Sequence, residues 1–582
     1  MANAPSPRDL LVPTELDERL VQAFGDRVFT IGGRVRDAYI AHYHGGLVPG
    51  KDHDYVLVGV PFEEAQEKLS AIGRVDLVGA SFGVFKLDGC DIALARTERN
   101  TGWGHRDVAA HFTPDVTIED DARRRDITIN TLSVRLSDMR LIAPLRGALD
   151  DIRDRRIEAI SQETFADDPL RMLRCVQFAS RFGFHLTDRT RDMILCQAPR
   201  IAHITAERIA VELDKLLLRS PQPSVGMQLL RDTGLTTHIL PELLEGRGHT
   251  QNAFHQHTIE GHLFATLDAT ARSGGDLEDR WAALLHDIGK PRTAAPREDG
   301  KGYTFYNHER IGADMAREIL GRLRYSDDFI RRTAALVDNH MYAIHSNVST
   351  PLSDASIRRF IRRTTFDGKD LDLIEKQFRL RAADIAGSGR PDMVNLAAEE
   401  AFEQRVREER ERQPAITVSH LHLRGQDVIG AIIETGLRPA TYRGDRLVGE
   451  TLQTLLDAVI EKPELNTPPR LRRRLRAHLD EELRREVTSV IHATEDHYER
   501  KRLTGHFQQI EIGRHVTGTV VAATPIVYSI DLGNGNYTCQ LSAKTGITPQ
   551  VGQTVHLERE RQDRYHAHIV NVRQREEERH IA

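Results

Sequence analysis

Lys51-Asp52-His53-Asp54-Tyr55-Val56-Leu57-Val58 decides how the first part of this chain is read. The β-prone run 55–58 predicts a strand, and the acid pair leads straight into it. Side chains two apart on a strand share a face, so Asp52 and Asp54 are expected side by side. Two adjacent carboxylates repel unless a cation neutralises them, and hard oxygen ligands suit Mg²⁺. Upstream, the predicted strand Val28–Ile31 ends at Gly32-Gly33, with Arg34, Arg36 and Asp37 following on a predicted helix. Glycines let backbone amides approach a phosphate, and a helix start adds partial positive charge. Asp91, in the β-rich run Cys90–Leu94, is either a third carboxylate of this group or a structural residue.

At 582 residues the chain exceeds a single core, and several domains are expected. Strand and glycine-turn patterning runs to about 150; from there to about 500 apolar residues recur at three and four, as in Ile209, Leu213, Leu216 and Leu217. After about 510, β-rich runs at 516–521, 527–532, 537–541, 554–557 and 566–572 suggest a small β-barrel. The net charge is −6, so whole-chain charge points to no nucleic acid, although Arg123-Arg124-Arg125 and the arginines at 470, 472, 473, 474 and 476 form local basic clusters. Cys90, Cys175, Cys196 and Cys539 lie far apart, which argues against a disulfide framework or a zinc ribbon. The sequence shows neither a signal pattern nor an apolar run long enough to span a bilayer, so a cytoplasmic protein with no membrane partner is expected.

Gly32-Gly33-x-x-Arg36-Asp37, Lys51-Asp52-x-Asp54, Ala95-Arg96-Thr97-Glu98 and Glu119-Asp120-Asp121 with Arg124-Arg125-Asp126-Ile127-Thr128-Ile129-Asn130 occur in an order and spacing that resemble the bacterial CCA-adding enzymes. These belong to the class II tRNA nucleotidyltransferase and poly(A) polymerase family. The resemblance spans about 28–476. It implies a multidomain α+β chain with a polymerase-β-like nucleotidyltransferase head and an all-α neck, body and tail; the small C-terminal β-barrel lies outside the resemblance and rests on the β-rich runs alone. It also implies that Asp52 and Asp54 hold catalytic Mg²⁺, that Gly33 and Arg36 touch the incoming nucleotide, and that Arg125 grips its phosphates or ribose. The segment 99–116 matches the flexible loop such enzymes use when adding A. Expected boundaries are an N-terminal extension 1–26, head 27–150, neck 151–245, HD domain 246–400, helical tail 401–508 and barrel 509–575.

A second constellation, Asp167-Asp168-Pro169-Leu170-Arg171-Met172-Leu173-Arg174, reads as a helix opening, with acids and proline where a helix start favours them. Three apart on one helical face, Asp168 and Arg171 combine an acceptor and a donor that can read a base edge. The family resemblance makes them the base-selecting pair and Arg174 a phosphate contact. Where some family members carry another arginine, this chain has Gln177, which supplies no charge. Glu207-Arg208, further on, reads as a structural ion pair.

A third set comprises His262, His286-Asp287-Ile288-Gly289-Lys290, His308, His340 and Asp384. Imidazoles and carboxylates together bind divalent transition metals and leave positions open for water and phosphate. The pattern resembles the HD phosphohydrolases. His262, His286, Asp287 and Asp384 are the expected ligands of a divalent metal of open identity, with His308 and His340 for a second metal or the phosphate; His255 and His257 are alternatives for the first histidine.

The expected activity is template-independent addition of CCA to tRNA from CTP and ATP, with an HD phosphatase or phosphodiesterase activity alongside. A poly(A) polymerase or A-adding enzyme is the near alternative. An HD phosphohydrolase with a merely nucleotide-binding head is the alternative of another class. The barrel is read as a module for RNA or protein or as a purely structural cap; its aromatics for base stacking are few, Tyr528, Tyr537 and Tyr565.

Overall fold

The computed structural model describes residues 5–45, 53–79, 83–100, 108–251, 255–298, 302–342 and 352–497, and five strands between 515 and 569. Asp52 and Cys539's side chain lie outside what is described. The chain divides into two compact units, residues 1–344 with 372–396, and residues 345–371 with 397–582.

The first unit opens with a seven-stranded sheet. Its strands are β1 (Val28–Ile31), β2 (Asp54–Leu57), β3 (Val75–Gly79), β4 (Val84–Leu87) and β5 (Cys90–Leu94). A separate hairpin, β6 (Thr97–Asn100) and β7 (Val108–His111), precedes β8 (Ser133–Arg135) and β9 (Arg140–Ile142). The sheet order is β3-β4-β5-β2-β1-β8-β9, with β2 and β5 parallel and the other pairs antiparallel. The strand expected at 55–58 thus begins one residue earlier and makes Asp54 its first residue. Tyr55, Leu57, Phe85, Leu87, Ile92 and Leu94 pack with Leu16, Leu20 and Phe24 of the Glu15–Phe24 helix. On the buried side of that helix, its own Asp17 accepts from Arg34 at 2.8 and 2.7 Å and from the Tyr55 hydroxyl at 2.8 Å.

The segment 99–116, expected as a loop, begins in β6, passes through β7 and ends five residues beyond it, and its stretch 101–107 is outside the described residues. It leads to the Ile118–Arg123 helix, started by a Thr117–Asp120 capping box. Such a cap contributes about 1 kcal/mol.

Helices follow. Leu170–Phe182 packs against Ala206–Arg219 and Pro223–Asp232, with Met172, Leu173, Cys175 and Val176 fully buried. Arg36, on the Gly33–His44 helix, lies over two rings of Leu170–Phe182, 4.9 Å from the Phe178 centroid and 4.8 Å from that of Phe182. Cation–π contacts of this kind contribute about 0.5–2 kcal/mol each, more as they are desolvated.

Five helices then surround a polar centre: Ile259–Arg272, Leu277–Leu285, His308–Arg322, Asp327–Asn339 and Leu373–Gly387. Two glycines allow the close approach. A Cβ on Gly289 would collide with the backbone of His308 and Gly312, and one on Gly387 with Thr266.

In the second unit the helices Asp354–Thr364, Leu396–Glu411, Gly425–Glu434, Arg446–Glu461 and Pro468–His497 appear in that order. Val428, Ile432, Leu455, Leu456, Val459, Leu471, Leu475 and Leu479 form its core. Arg358 donates to Glu409 at 2.6 Å and to the Ile460 carbonyl at 2.6 Å. The last strands are β10 (His515–Ala523), β11 (Val527–Asp531), β12 (Asn536–Leu541), β13 (Thr554–Arg561) and β14 (Arg564–Ile569). β10 pairs antiparallel with β11 and β13, β11 with β12, and β13 with β14, while β12 and β14 run parallel.

Candidate active site and metal centre

A cavity of about 410 Å³ opens in the first unit, between the sheet and the Leu170–Phe182 helix. Gly32, Gly33, Arg36, Asp54, Arg125, Asp168, Arg171 and Arg174 all line it, although they are spread over some 140 residues of sequence. Among the described residues, nine cationic side chains line it against four carboxylates, the balance expected of a site for a polyanion.

At its floor Gly32 adopts φ +67°, and a Cβ there would sit 3.3 Å from Asp54 Oδ2. Only glycine leaves that space beside the carboxylate, and the helix amides from Gly33 begin at the same point. Asp54 is paired in register with Asp91 on the neighbouring parallel strand, which places both residues on one sheet face. Asp91 itself is exposed and is not among the cavity's lining residues. Room kept clear beside a carboxylate, with a second acid in register, fits a hard divalent cation.

The arginines are held by buried acids. Asp121, fully buried, accepts from Arg124 at 2.7 Å and Arg125 at 2.9 Å. Burial opposes its ionised form, yet the two guanidinium groups outweigh that and hold its pKa at about 2. Asp126 does the same for Arg174, at 2.8 Å, and is likewise held at about 2 against burial. Arg36 donates to Asp37 at 2.7 Å and to Asn130 Oδ1 at 2.6 Å.

Asp168 departs from its expected place. The helix begins at Leu170, so Asp168 precedes it, and its Oδ1 accepts from the Leu170 amide at 3.2 Å. Asp168 and Arg171 therefore do not share a helical face; the turn before the helix is what brings both to the cavity. Asp168 Oδ2 is paired with Arg208 at 2.8 Å, so Arg208 has Asp168 as its ion-pair partner and not the expected Glu207. Gln177 also lines the cavity and is buried, its Nε2 without a hydrogen-bond partner. Asn130, Arg181, Lys215 and Arg219 complete a wall that the sequence reading missed; only the periodicity of 171, 174, 177 and 181 along one helix pointed to part of it.

The five-helix centre gathers the histidines in two triplets, His262 with His286 and Asp384, and Asp287 with His308 and His340. The expected grouping of Asp287 with His262, His286 and Asp384 is thus incomplete, because Asp287 reaches both. Its Oδ2 lies 3.3 Å from His262 Nε2 and 3.4 Å from His286 Nε2. Its Oδ1 lies 3.1 Å from His308 Nε2 and 3.4 Å from His340 Nε2. The Nδ1 atoms of His262, His286, His308 and His340 each face a backbone carbonyl, of Gly387, Ala283, Phe305 and Val337, at 2.6–3.1 Å. A carbonyl only accepts, so these Nδ1 atoms carry the protons and the Nε2 atoms are left as acceptors. Two such atoms meet at 3.0 Å between His262 and His286, and two at 3.2 Å between His308 and His340. Facing nitrogens this close need a proton or a metal ion between them, and carbonyl-fastened imidazoles are the usual supports of metal ligands. Without metal, burial works against a charged His286, but Asp287 and Asp384 outweigh it and raise its pKa to about 10.

His255 is not in either triplet. Its ring packs at 4.5 Å from that of His262, and burial and Lys290 push its pKa down to about 3. Lys290 pairs with Asp287 at 2.5 Å.

Three family models match: "Poly A polymerase head domain" over residues 28–158, "Probable RNA and SrmB-binding site of polymerase A" over 183–246, and "HD domain" over 259–376. Fold and site thus define a nucleotidyltransferase head joined to an HD domain. The A-adding tRNA nucleotidyltransferase of Deinococcus radiodurans is 35% identical over 362 residues, which are 60% of this chain and 78% of that protein. The multifunctional CCA protein of Aromatoleum aromaticum is 34% identical, over 63% of this chain and 86% of that protein. The chain belongs to the CCA-adding tRNA nucleotidyltransferase family. The fold agrees with that of the Bacillus stearothermophilus CCA-adding enzyme, solved with CTP, at a TM-score of 0.54 and 23% identity, over 81% of this chain and 97% of that one. No helix among the described residues is long and apolar enough to cross a membrane.

Proposed function

We propose that this chain adds cytidylate and adenylate residues to the 3′ end of tRNA, using CTP and ATP. The observation that carries the reading is the convergence of Gly33, Asp54, Arg125, Asp168, Arg171 and Arg174 on one cationic cavity. Asp54, with Asp52 before it in sequence, would hold Mg²⁺. Bound there, Mg²⁺ neutralises the triphosphate and lowers the pKa of the RNA 3′-hydroxyl that attacks the α-phosphorus. Gly33 offers its amide to the phosphates, and Arg36, Arg125 and Arg174 bind and orient the nucleotide. Asp168 accepts from, and Arg171 donates to, the edge of the incoming base, so the protein stands where a template strand would. Asp91, being exposed, fits a supporting role better than that of a direct ligand.

The experiment is incubation with each nucleotide and tRNA lacking CCA, followed by sequencing of the added bases. Addition of C, C and A supports the reading, and a long A tract overturns it in favour of poly(A) synthesis. The Deinococcus relative favours a second reading, A addition alone. That reading requires a tRNA already ending in CC and fails if CTP is incorporated.

The HD centre, with Asp287 between two histidine pairs, supports two divalent metal ions and a phosphohydrolase acting on phosphate esters at RNA ends. The ring of strand pairings at the C-terminus supports a small β-barrel in the expected stretch 509–575, and a cytoplasmic site of action fits tRNA as substrate.

A further inference from the structure

Two side chains in the head cavity carry polar atoms that the fold leaves unmet. Gln177 is 1% exposed and its Nε2 has no hydrogen-bond partner; Glu212 is 3% exposed and its Oε2 has none. Both residues line the cavity. Glu212 Oε1 is already engaged, with Lys215 at 2.7 Å and Arg174 at 3.8 Å. A buried polar atom without a partner has given up its hydration for nothing, so such atoms in a binding cavity point to the ligand that completes them. The terminal torsions of Gln and Glu are broad, and the amide and carboxylate can turn toward the cavity at little cost.

Their place along the cavity narrows the ligand. Arg208 meets Asp168, Glu212 meets Arg174, and Ser220 meets Ser180, so the Leu170–Phe182 and Ala206–Arg219 helices run in the same direction. At one end of the cavity stand Asp168 and Arg171, the proposed base readers. Toward the other, Arg36 of the helix that starts at Gly33 packs on Phe178 and Phe182. Gln177 and Glu212 lie between, on a stretch where the helix rises about 10 Å from 171 to 178. In a nucleotide the sugar joins base to phosphate, so this middle level suits a ribose. The chemistry of the pair agrees. A phosphate offers acceptors that a carboxylate repels, and the base edge is already met. A hydroxyl both donates and accepts, and so completes an amide N–H and a carboxylate oxygen together.

We propose that Gln177 and Glu212 bind one ribose hydroxyl of the substrate, the Gln177 amide donating to its oxygen and the Glu212 carboxylate accepting from its O–H, and that this contact selects ribose over deoxyribose. The inference rests on the nucleotide addition proposed above. The hydroxyl belongs to the incoming nucleotide or to the last nucleotide of the RNA, since both must reach the cavity for the 3′-hydroxyl to attack. Neither residue moves a proton, so the contact acts on the choice of sugar and not on the phosphoryl step.

The test uses the full chain and compares kcat/KM for ATP, 2′-deoxy-ATP and 3′-deoxy-ATP on a tRNA ending in CC, and for ATP on the same tRNA with 2′-deoxyribose at its last nucleotide. The parent should prefer ribose in at least one arm, and that arm identifies the source of the hydroxyl. There Gln177→Leu and Glu212→Gln should each lower the preference by about 3- to 10-fold, as for one net hydrogen bond. Gln177→Leu replaces an unmet donor by an apolar group of similar size, so its thermal midpoint should hold or rise. Val211→Ala, exposed beside Glu212 on the same helix, should leave the preference unchanged. A parent that adds no nucleotide overturns the nucleotide-addition reading and this inference with it. A parent that adds nucleotide overturns this inference alone if it shows no ribose preference, if the preference survives both substitutions, or if Val211→Ala lowers it equally. Should Gln177→Leu fail to fold, Glu212→Gln, which keeps size, decides.

Discussion

Arg208 Nη2 stands 2.8 Å from Asp168 Oδ2, so the Ala206–Arg219 helix fastens the carboxylate that would read the incoming base. Arg208→Ala should leave Asp168 in the cavity but free to rotate. The expected outcome is a loss of base discrimination of about 10- to 100-fold, the equivalent of about 1–3 kcal/mol from one bidentate contact. Sequencing products made with all four nucleotides present measures it, and unchanged fidelity would show that the ion pair is only structural.

Asp54→Asn keeps the size of the side chain but removes the charge and turns one acceptor oxygen into a donor. Nucleotide addition should fall by roughly 10³-fold or more, because several kcal/mol of charge stabilisation depend on the ion held there. The thermal midpoint should change little. Single-turnover incorporation of labelled ATP and CTP is the measurement, and persistent incorporation would remove Asp54 from the chemistry.

Gly32→Ala tests the clearance beside that carboxylate. The backbone there, φ +67° and ψ −132°, is a conformation in which a side chain costs about 1–3 kcal/mol. The new Cβ would also press on Asp54 at 3.3 Å. Both stability and turnover should drop, whereas Gly183→Ala, whose left-handed helix cap is open, should lower stability alone.

At the HD centre the two triplets make a stoichiometric prediction. Wild-type protein should bind two transition ions there, and either His308→Ala with His340→Ala or His262→Ala with His286→Ala should reduce this to one. Each pair should abolish metal-dependent phosphohydrolysis, as should a chelator, while CCA addition continues in Mg²⁺. Metal analysis relative to a chain carrying His286→Ala and Asp287→Ala reads the difference, and activity surviving both pairs would refute the assignment.

Asp126 sets an acid limit. Burial would raise its carboxyl, but Arg174 and Asn130 outweigh burial and hold it at about 2, below its ordinary 3.8. A carboxyl depressed on folding contributes stability above its unfolded pKa and loses it as pH falls through the folded value. The stabilisation should be complete above about pH 4 and fade toward pH 2. Asp126→Asn should lower the thermal midpoint at neutral pH and flatten its fall over that window; an unaltered acid limb would exclude this pair as its source.

The position of Gly32-Gly33 and of Asp54 was legible because strand period and glycine placement are local, each following from a few residues. The structure brings together the histidines and acids that the resemblance to the HD phosphohydrolases singled out, although an adjacent His-Asp alone is unspecific. The separation of His262, His286 and Asp384 from His308 and His340 follows the expected assignment; that Asp287 completes the second triplet and faces both was not legible, because it depends on how helices cross at Gly289 and Gly387, a tertiary matter. Arg208 was misread for the same reason. Its neighbour Glu207 offered a local partner, while the real one lies 40 residues back and was brought near by packing of two helices. Asp168 was expected on the helix from its three-residue spacing to Arg171, whereas Pro169 is the N-cap of Leu170–Phe182 and leaves Asp168 before it.

The guanidinium of Arg36, set against the rings of Phe178 and Phe182, works as a rivet between the phosphate-binding end of the head and the helix that carries Arg171 and Arg174. With phosphate bound at Gly33 and the base read by Asp168 and Arg171, as proposed, this contact would hold the span from base to reacting phosphorus at one length.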